Sequence, residues 1–245
     1  LQAKAAWQSA AKAATAASNA QPPSDAQVIG AVQRSAGPDS VVVCAAGGLP
    51  GELHKLWQAA APGSYHLEYG YSCMGYEIAG GLGVKLARPE AEVIVMVGDG
   101  SYLMLNSEIA TSVMLGLKLI IVVLDNRGFG CINRLQRATG GETFNNLLAE
   151  STHQELPQVD FAAHAASLGA EAVQVASLAD LEAAMQRARG AARTSVIVIE
   201  TDPVAATQAG GHWWDVAVPE TSERAEVKQA RQDYEKARGK QRPAD

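Results

Sequence analysis

Cysteine, aromatic residues and positive charge are all in short supply in this sequence. The three cysteines, Cys44, Cys73 and Cys131, are odd in number and far apart, so they imply neither a disulfide framework nor a zinc site. Their apolar neighbours suit buried thiols in a reducing, cytoplasmic compartment. Lysine and arginine number 20 against 26 acids, a net charge of −6, which argues against nucleic acid or an anionic membrane surface as partner. No apolar run reaches membrane-spanning length, and no secretory signal is visible. What is present is 245 residues with 47% hydrophobic content, enough for one sizeable α/β domain with appendages.

The most informative stretch is Val93–Gly130. Two β-branched runs, Val93–Val97 and Leu119–Leu124, each end in a short polar turn, and between them Ile109, Val113, Met114 and Leu117 recur at helical spacing. A strand–helix–strand unit makes the two strands parallel neighbours, with carboxyl ends about 5 Å apart. One end carries Asp99 and the other Asn126. A hard cation with oxygen ligands at about 2.1 Å could touch both side chains. Gly98 and Gly100 let backbone N–H groups approach a ligand, and the positive end of the following helix points to the same place. An acid beside a diphosphate is repelled unless a metal bridges them, so the unit reads as a Mg²⁺–diphosphate site. The competing reading is a dinucleotide turn, because Gly98-Asp-Gly-Ser-Tyr-Leu begins like Gly-x-Gly-x-x-Gly and Asp125 could serve as the ribose-binding acid. Against it, Leu103 stands where a third small residue is wanted and Asp99 where pyrophosphate would lie.

Gly98-Asp99-Gly100, 24 further residues and then Asp125-Asn126 resemble the signature of thiamine-diphosphate enzymes, Gly-Asp-Gly…Asn-Asn, with Asp in place of the first Asn. The resemblance covers about residues 25–205. It implies an α/β fold, a parallel sheet sandwiched by helices, and the cofactors thiamine diphosphate and Mg²⁺. By resemblance, Asp99, the Asn126 side chain and the Gly128 carbonyl are metal ligands, with diphosphate oxygens and water completing an octahedron. Gly47, Gly48 and Leu49 would contact the diphosphate, as would Gly98, Gly100 and Ser101, with Phe129 and Gly130 also at the cofactor. The Ser72 carbonyl is assigned to the 4′-amino group and the Met74 amide to the pyrimidine ring. Met74, 25 residues before Asp99, is then the wedge holding the cofactor bent, its 4′-amino group next to the thiazolium C2. On residue type alone Met74 reads as core. Asp125 should point away from Asn126 and serve a supporting, not a metal-binding, role.

The rest of the chain frames this unit. Residues 3–20 hold ten alanines, a helix by propensity with little to bury, stopped by Gln21-Pro22-Pro23-Ser24. With Leu1 in front, residues 1–24 read as the tail of a preceding domain, so the protein is expected to be longer. Ser24 or Asp25 caps a helix with Val28, Ile29 and Val32 inward. Val41–Ala45 is a buried strand running into the glycine turn Ala46–Gly51, a second phosphate cradle or an ordinary tight turn. His66–Gly70 reads as a strand and Tyr76–Ala87 as a helix. Residues 131–155, with Asn133, Arg134, Gln136, Asn145 and Asn146, are too polar and glycine-broken for core; they read either as a plain surface loop or, by the resemblance, as a region that orders around cofactor and substrate. Phe161–Leu168 and Leu178–Arg189 read as helices, Glu171–Val175 and Ser195–Glu200 as strands. His153 and His164 show no partner at ligand spacing and read as structural or solvent-facing. A final part, residues 206–245, holds Trp213 and Trp214, which need somewhere to dock. It ends in a charged helix from Glu220, with Glu220 and Arg224 at i,i+4 spacing.

Enzymes of the resembled family activate the cofactor with a glutamate from a separate pyrimidine-binding domain, which no segment here supplies. A missing N-terminal part or another subunit is therefore the expected partner, in a homodimer or homotetramer. Three stretches, Glu68–Glu77, Leu124–Leu135 and Trp213–Glu220, narrow the resemblance to hydrolysis of a carbon–carbon bond in a cyclic diketone derived from a polyol. The rivals are a 2-oxoacid decarboxylase or acetohydroxyacid synthase with the same cofactor and, from another class, a non-catalytic Mg²⁺–nucleotide binding module.

Overall fold

The computed structural model describes residues 2–209 and 216–241. In chain order it holds α1 (Gln2–Ala14), α2 (Asp25–Ser35), β1 (Val41–Cys44), α3 (Gly48–Leu56), β2 (Tyr65–Leu67), α4 (Tyr76–Ala87), β3 (Val93–Gly98) and α5 (Asp99–Met104). Then follow α6 (Glu108–Met114), β4 (Ile120–Asp125), α7 (Gly130–Ala138), α8 (Phe161–Ser167), β5 (Glu171–Val175), α9 (Leu178–Gly190), β6 (Ser195–Glu200) and α10 (Ala225–Arg238).

The strands form one six-stranded sheet in the order β2-β1-β3-β4-β6-β5, with every neighbouring pair parallel. Side chains alternate between its faces, and both faces are apolar, as a parallel sheet covered on both sides requires. Val42, Ile94, Met96, Ile120, Val122, Ile197 and Ile199 face a layer made by α2, α3 and α9. Val41, Val43, Val93, Val95, Ile121, Val123, Val196 and Val198 face α4, α6 and α8. Burying each of these side chains contributes about 1.5–3 kcal/mol. α2 starts as the sequence indicates: the Ser24 hydroxyl accepts from the Gln27 N–H, and the Gln27 side chain accepts from the Ser24 N–H at 2.9 Å. α1 rests on α2 and α3 with Ala11 in the core.

The strand order places the site. The chain leaves β1 for β2 on one side and returns to β3 on the other. Such a reversal opens a crevice at the carboxyl ends of β1 and β3.

Several elements differ from the sequence expectation. The β3–β4 crossover is two short helices, and Met114 is 77% exposed. Lying five residues after the buried Ile109, it is rotated about 140° from it at 3.6 residues per turn. β2 stops at Leu67, because β1 offers partners only as far as Cys44. Residues 130–138 are helical, not a plain loop, and Asn133 is buried; Cys131, Leu135 and Ala138 recur at i, i+4, i+7, a period that the surrounding polar residues obscure. Glu220 pairs with Arg231, whereas Arg224 caps α10 and pairs with Glu142 and Glu226. The expected Glu220–Arg224 pair fails because the helix begins only at Ala225. His164 does have a partner, the Tyr102 hydroxyl at 2.9 Å from its Nδ1, in keeping with a structural role. Residues 210–215, with Trp213 and Trp214, lie outside the described residues. Among the described residues no helix is long and apolar enough to cross a membrane.

Candidate active site

At the end of β3, Gly98 pairs with Leu124 of β4, so the turns that follow the two strands meet. α5 starts at once, and a side chain at its cap, Gly98, would point into open space. Asp99 is buried, and its Oδ2 accepts the Gly128 N–H at 2.9 Å. Burial, and then the neighbouring Asp125 carboxyl, push the Asp99 carboxyl up to about 7, against the pull of the Gly128 and Gly100 N–H groups. Asp125 is raised too, chiefly by burial, and is held down by the N–H and guanidinium of Arg127. Its Oδ1 accepts the Arg127 N–H at 3.0 Å, with Arg127 in the left-handed region at φ 60°.

Next to Asp125, the Asn126 side-chain oxygen is buried without any hydrogen-bond partner. Buried acceptors are nearly always satisfied, so an orphan beside a raised carboxyl is the donor set a hard cation would complete. Gly128 has φ 145°, and a Cβ there would collide with the backbone of Asn146 and Leu147. Phe129 donates its N–H to the Asn146 carbonyl at 2.7 Å. Its ring lies over Gly100, where a Cβ would come within 2.7 Å of ring Cε1 and 3.4 Å of the Met74 methyl. Gly130 likewise leaves room for the Asn126 amide and the Pro203 carbonyl.

At the end of β1, Gly47 caps α3 at φ 87°, with open space above it. The glycine turn is therefore the N-terminus of a helix that the sequence reading left unassigned. Leu49, Leu53 and Leu56, all buried, recur at i, i+4, i+7 and Pro50 sits in the first turn, a signal that was available. Beside Gly48 lies the guanidinium of Arg134, which donates to the Pro203 carbonyl at 2.9 Å. Ser72, left-handed at φ 50°, is on an exposed loop, and Met74 follows it, half-buried. Glu77, in the first turn of α4, is 1% exposed and reaches the turn after β1 and the first turn of α5. Sequence reasoning missed it; an acid in the first turn of a helix otherwise polar only at Lys85 was its mark.

Residues 45–200 match the family described as thiamine pyrophosphate enzyme, C-terminal TPP binding domain. The chain belongs to this family. Relatives of this thiamine pyrophosphate-binding domain include proteins named 3D-(3,5/4)-trihydroxycyclohexane-1,2-dione hydrolase. That of Listeria monocytogenes is 45% identical over 194 residues, 79% of this chain and 30% of the relative. That of Bacillus subtilis is 42% identical over 198 residues, 81% and 31%. The chain thus spans about a third of the length of these relatives. In fold it is similar to a thiamine diphosphate-dependent 4-hydroxybenzoylformate decarboxylase of Rhodococcus jostii, with TM-score 0.67 and 22% identity, covering 76% of this chain and 34% of that one. Benzoylformate decarboxylase of Polynucleobacter necessarius gives TM-score 0.63 and 20% identity over 73% and 33%.

The residues present suit the family's cofactor. Open space at Gly47 and Gly98 leaves two backbone cradles clear at adjacent strand ends, and the orphaned Asn126 oxygen lies in the turn after β4. Of the residues singled out from sequence, the structure joins Asp99 to Gly128, Gly100 to Phe129 and Met74, Asn126 to Gly130, and Ser101 to the Gly75 N–H beside Met74. Ser72 has no side-chain hydrogen bond to that group.

Proposed function

We propose that this chain is the Mg²⁺- and thiamine-diphosphate-binding part of a hydrolase that opens the ring of 3D-(3,5/4)-trihydroxycyclohexane-1,2-dione. The observation that supports the cofactor half is the Asp99 carboxylate accepting the Gly128 N–H, in the same turn that holds the unpartnered Asn126 oxygen. The substrate half rests on the 42–45% identity to relatives bearing that name. As the sequence resemblance implies, the reaction is carbon–carbon hydrolysis to 5-deoxyglucuronate in myo-inositol breakdown.

Each residue then has a task. Asp99, the Asn126 side chain and the Gly128 carbonyl hold Mg²⁺, and the cation relieves the charge that Asp125 presses on Asp99. Gly47, Gly48, Leu49, Gly98, Gly100 and Ser101 bring backbone to the diphosphate. Met74, with Phe129 and Gly130 alongside, shapes the floor under the rings, and the Ser72 carbonyl and Met74 amide orient the pyrimidine. Bound thiamine diphosphate supplies the electron sink that carbon–carbon cleavage needs. The activating glutamate comes from a pyrimidine-binding part outside this chain, in a homodimer or homotetramer. Residues 25–205 form the cofactor domain, with 1–24 as the end of a preceding unit and 206–245 as a C-terminal extension. Three unpaired cysteines, Cys73 exposed among them, support a cytoplasmic setting.

The full-length protein, loaded with thiamine diphosphate and Mg²⁺, is expected to turn over the cyclic dione and not pyruvate. Turnover of pyruvate alone would move it to the decarboxylase and acetohydroxyacid synthase rivals. In calorimetry, preference for ADP or NAD over thiamine diphosphate would favour a nucleotide-binding module.

A further inference from the structure

Glu77 accepts from three separate segments of the site. Its Oε1 takes the Ala46 N–H at 3.1 Å, one residue before the glycines that open α3. Its Oε2 takes the Ser101 hydroxyl at 2.7 Å, two residues past Asp99, and the Gly75 N–H at 3.2 Å, one residue past Met74. The Gly75 N–H is shared with the Ser101 oxygen at 2.7 Å, so carboxylate, hydroxyl and amide close a small ring. Gly75 itself is left-handed at φ 90°, and a Cβ there would press on Leu105 at 3.1 Å. Met74 therefore precedes a turn that suits only glycine, and that turn is tied to the Glu77 carboxyl and the Ser101 hydroxyl.

A carboxylate 1% exposed with no basic partner among the described residues is costly to bury. Here its hydrogen-bond partners are all donors, and they come from three separate segments: the turn after β1, the turn before α4 and the first turn of α5. We propose that Glu77 is a positioning residue that fixes the height of Met74 against the β1 glycine cradle and the Asp99 turn, acting through Gly75, Ala46 and Ser101. The inference rests on the cofactor reading above. Its consequence is selectivity: Glu77 makes the site prefer a ligand that fills both the cradle and the space over Met74 to one that fills the cradle alone.

The test compares thiamine diphosphate with inorganic pyrophosphate, each titrated calorimetrically with Mg²⁺ into full-length protein. Glu77→Gln keeps the shape but turns an NH₂ toward donors. It is expected to weaken thiamine diphosphate about tenfold or more and pyrophosphate clearly less, so the affinity ratio falls. In a Met74→Ala background the ratio is already low, and Glu77→Gln should lower it little further; such non-additivity marks action through Met74. Equal loss for both ligands, or the same fall in ratio with and without Met74, makes Glu77 merely structural and overturns the inference. If Glu77→Gln does not fold, Ser101→Ala, which keeps the carboxylate and removes one donor, is expected to lower the ratio, and an unchanged ratio overturns it. A parent protein that binds pyrophosphate but not thiamine diphosphate sinks the cofactor reading and this inference with it. Parent binding with an unaffected Glu77→Gln variant sinks the inference alone.

Discussion

Asp99 shows how much one side chain's surroundings matter. In sequence it sits in a turn that reads as surface; in the structure it is buried, holds the Gly128 N–H, and is pressed by Asp125. Asp99→Ala removes the only charged side chain among the proposed cation's protein ligands. We expect Mg²⁺-dependent binding of thiamine diphosphate to collapse in calorimetry while the thermal midpoint of the cofactor-free protein changes little. The lost hydrogen bond, worth about 0.5–1.5 kcal/mol, is offset by relief of a buried carboxylate. Undiminished binding would refute the metal assignment. Asp25, the first residue of α2, makes a separate prediction about pH. Burial outweighs the attraction of Arg134 and lifts its carboxyl from 3.8 to about 6, and its Oδ1 has no partner. A raised folded-state value means the charged form costs stability. That cost is absent below pH 3.8, grows as pH rises to about 6, and stays constant above. At two units it amounts to about 3 kcal/mol. Asp25→Asn should therefore raise the midpoint at pH 7 but not at pH 4; the same gain at both would show that ionisation is not the cause.

At the scale of elements, the loop from β2 to α4 carries the sharpest contrast between core and function. Met74 belongs to neither apolar cluster, is half-buried, and lays its methyl against Gly100 beside the exposed face of Phe129. A buried large-to-small change costs about 2–5 kcal/mol. Met74→Ala should cost less than that, yet lower turnover several-fold, because the reacting groups are no longer held together. Met74→Leu should keep most activity. A large drop in midpoint with unchanged turnover per folded molecule would return Met74 to the core. α3 and α7 teach the converse. Each begins at a glycine after a turn, and α7 buries Asn133 and aims Arg134 at Pro203 and Gly48. Both keep apolar residues at i, i+4, i+7, Leu49, Leu53 and Leu56 in α3 and Cys131, Leu135 and Ala138 in α7, but the glycines and polar residues around them mask the signal.

For the whole molecule, stability and occupancy are linked. A ligand at a hundred times its dissociation constant stabilises the folded state by about 2.7 kcal/mol. Thiamine diphosphate with Mg²⁺ should raise the thermal midpoint of the full-length protein, and excess EDTA should abolish the rise. An equal rise with EDTA present would mean that binding does not pass through a metal at Asp99 and Asn126.

The sequence by itself determined the sheet's two central strands, their parallel pairing, the β5 and β6 strands, the α2 cap, and the turn holding Asp99 beside that holding Asn126. These are local facts: β-branched runs, a capping box and a Gly-Asp-Gly turn bring their geometry with them. Only the tertiary structure decided that Asp99 is buried against Asp125, that Met74 touches the Gly100 turn, and that Glu77 gathers Ala46, Gly75 and Ser101. Gly75 aside, two residues from Glu77, those partners are separated by 24 to 31 residues and meet because strand order, register and crossover packing bring them together, and no local pattern encodes those distances.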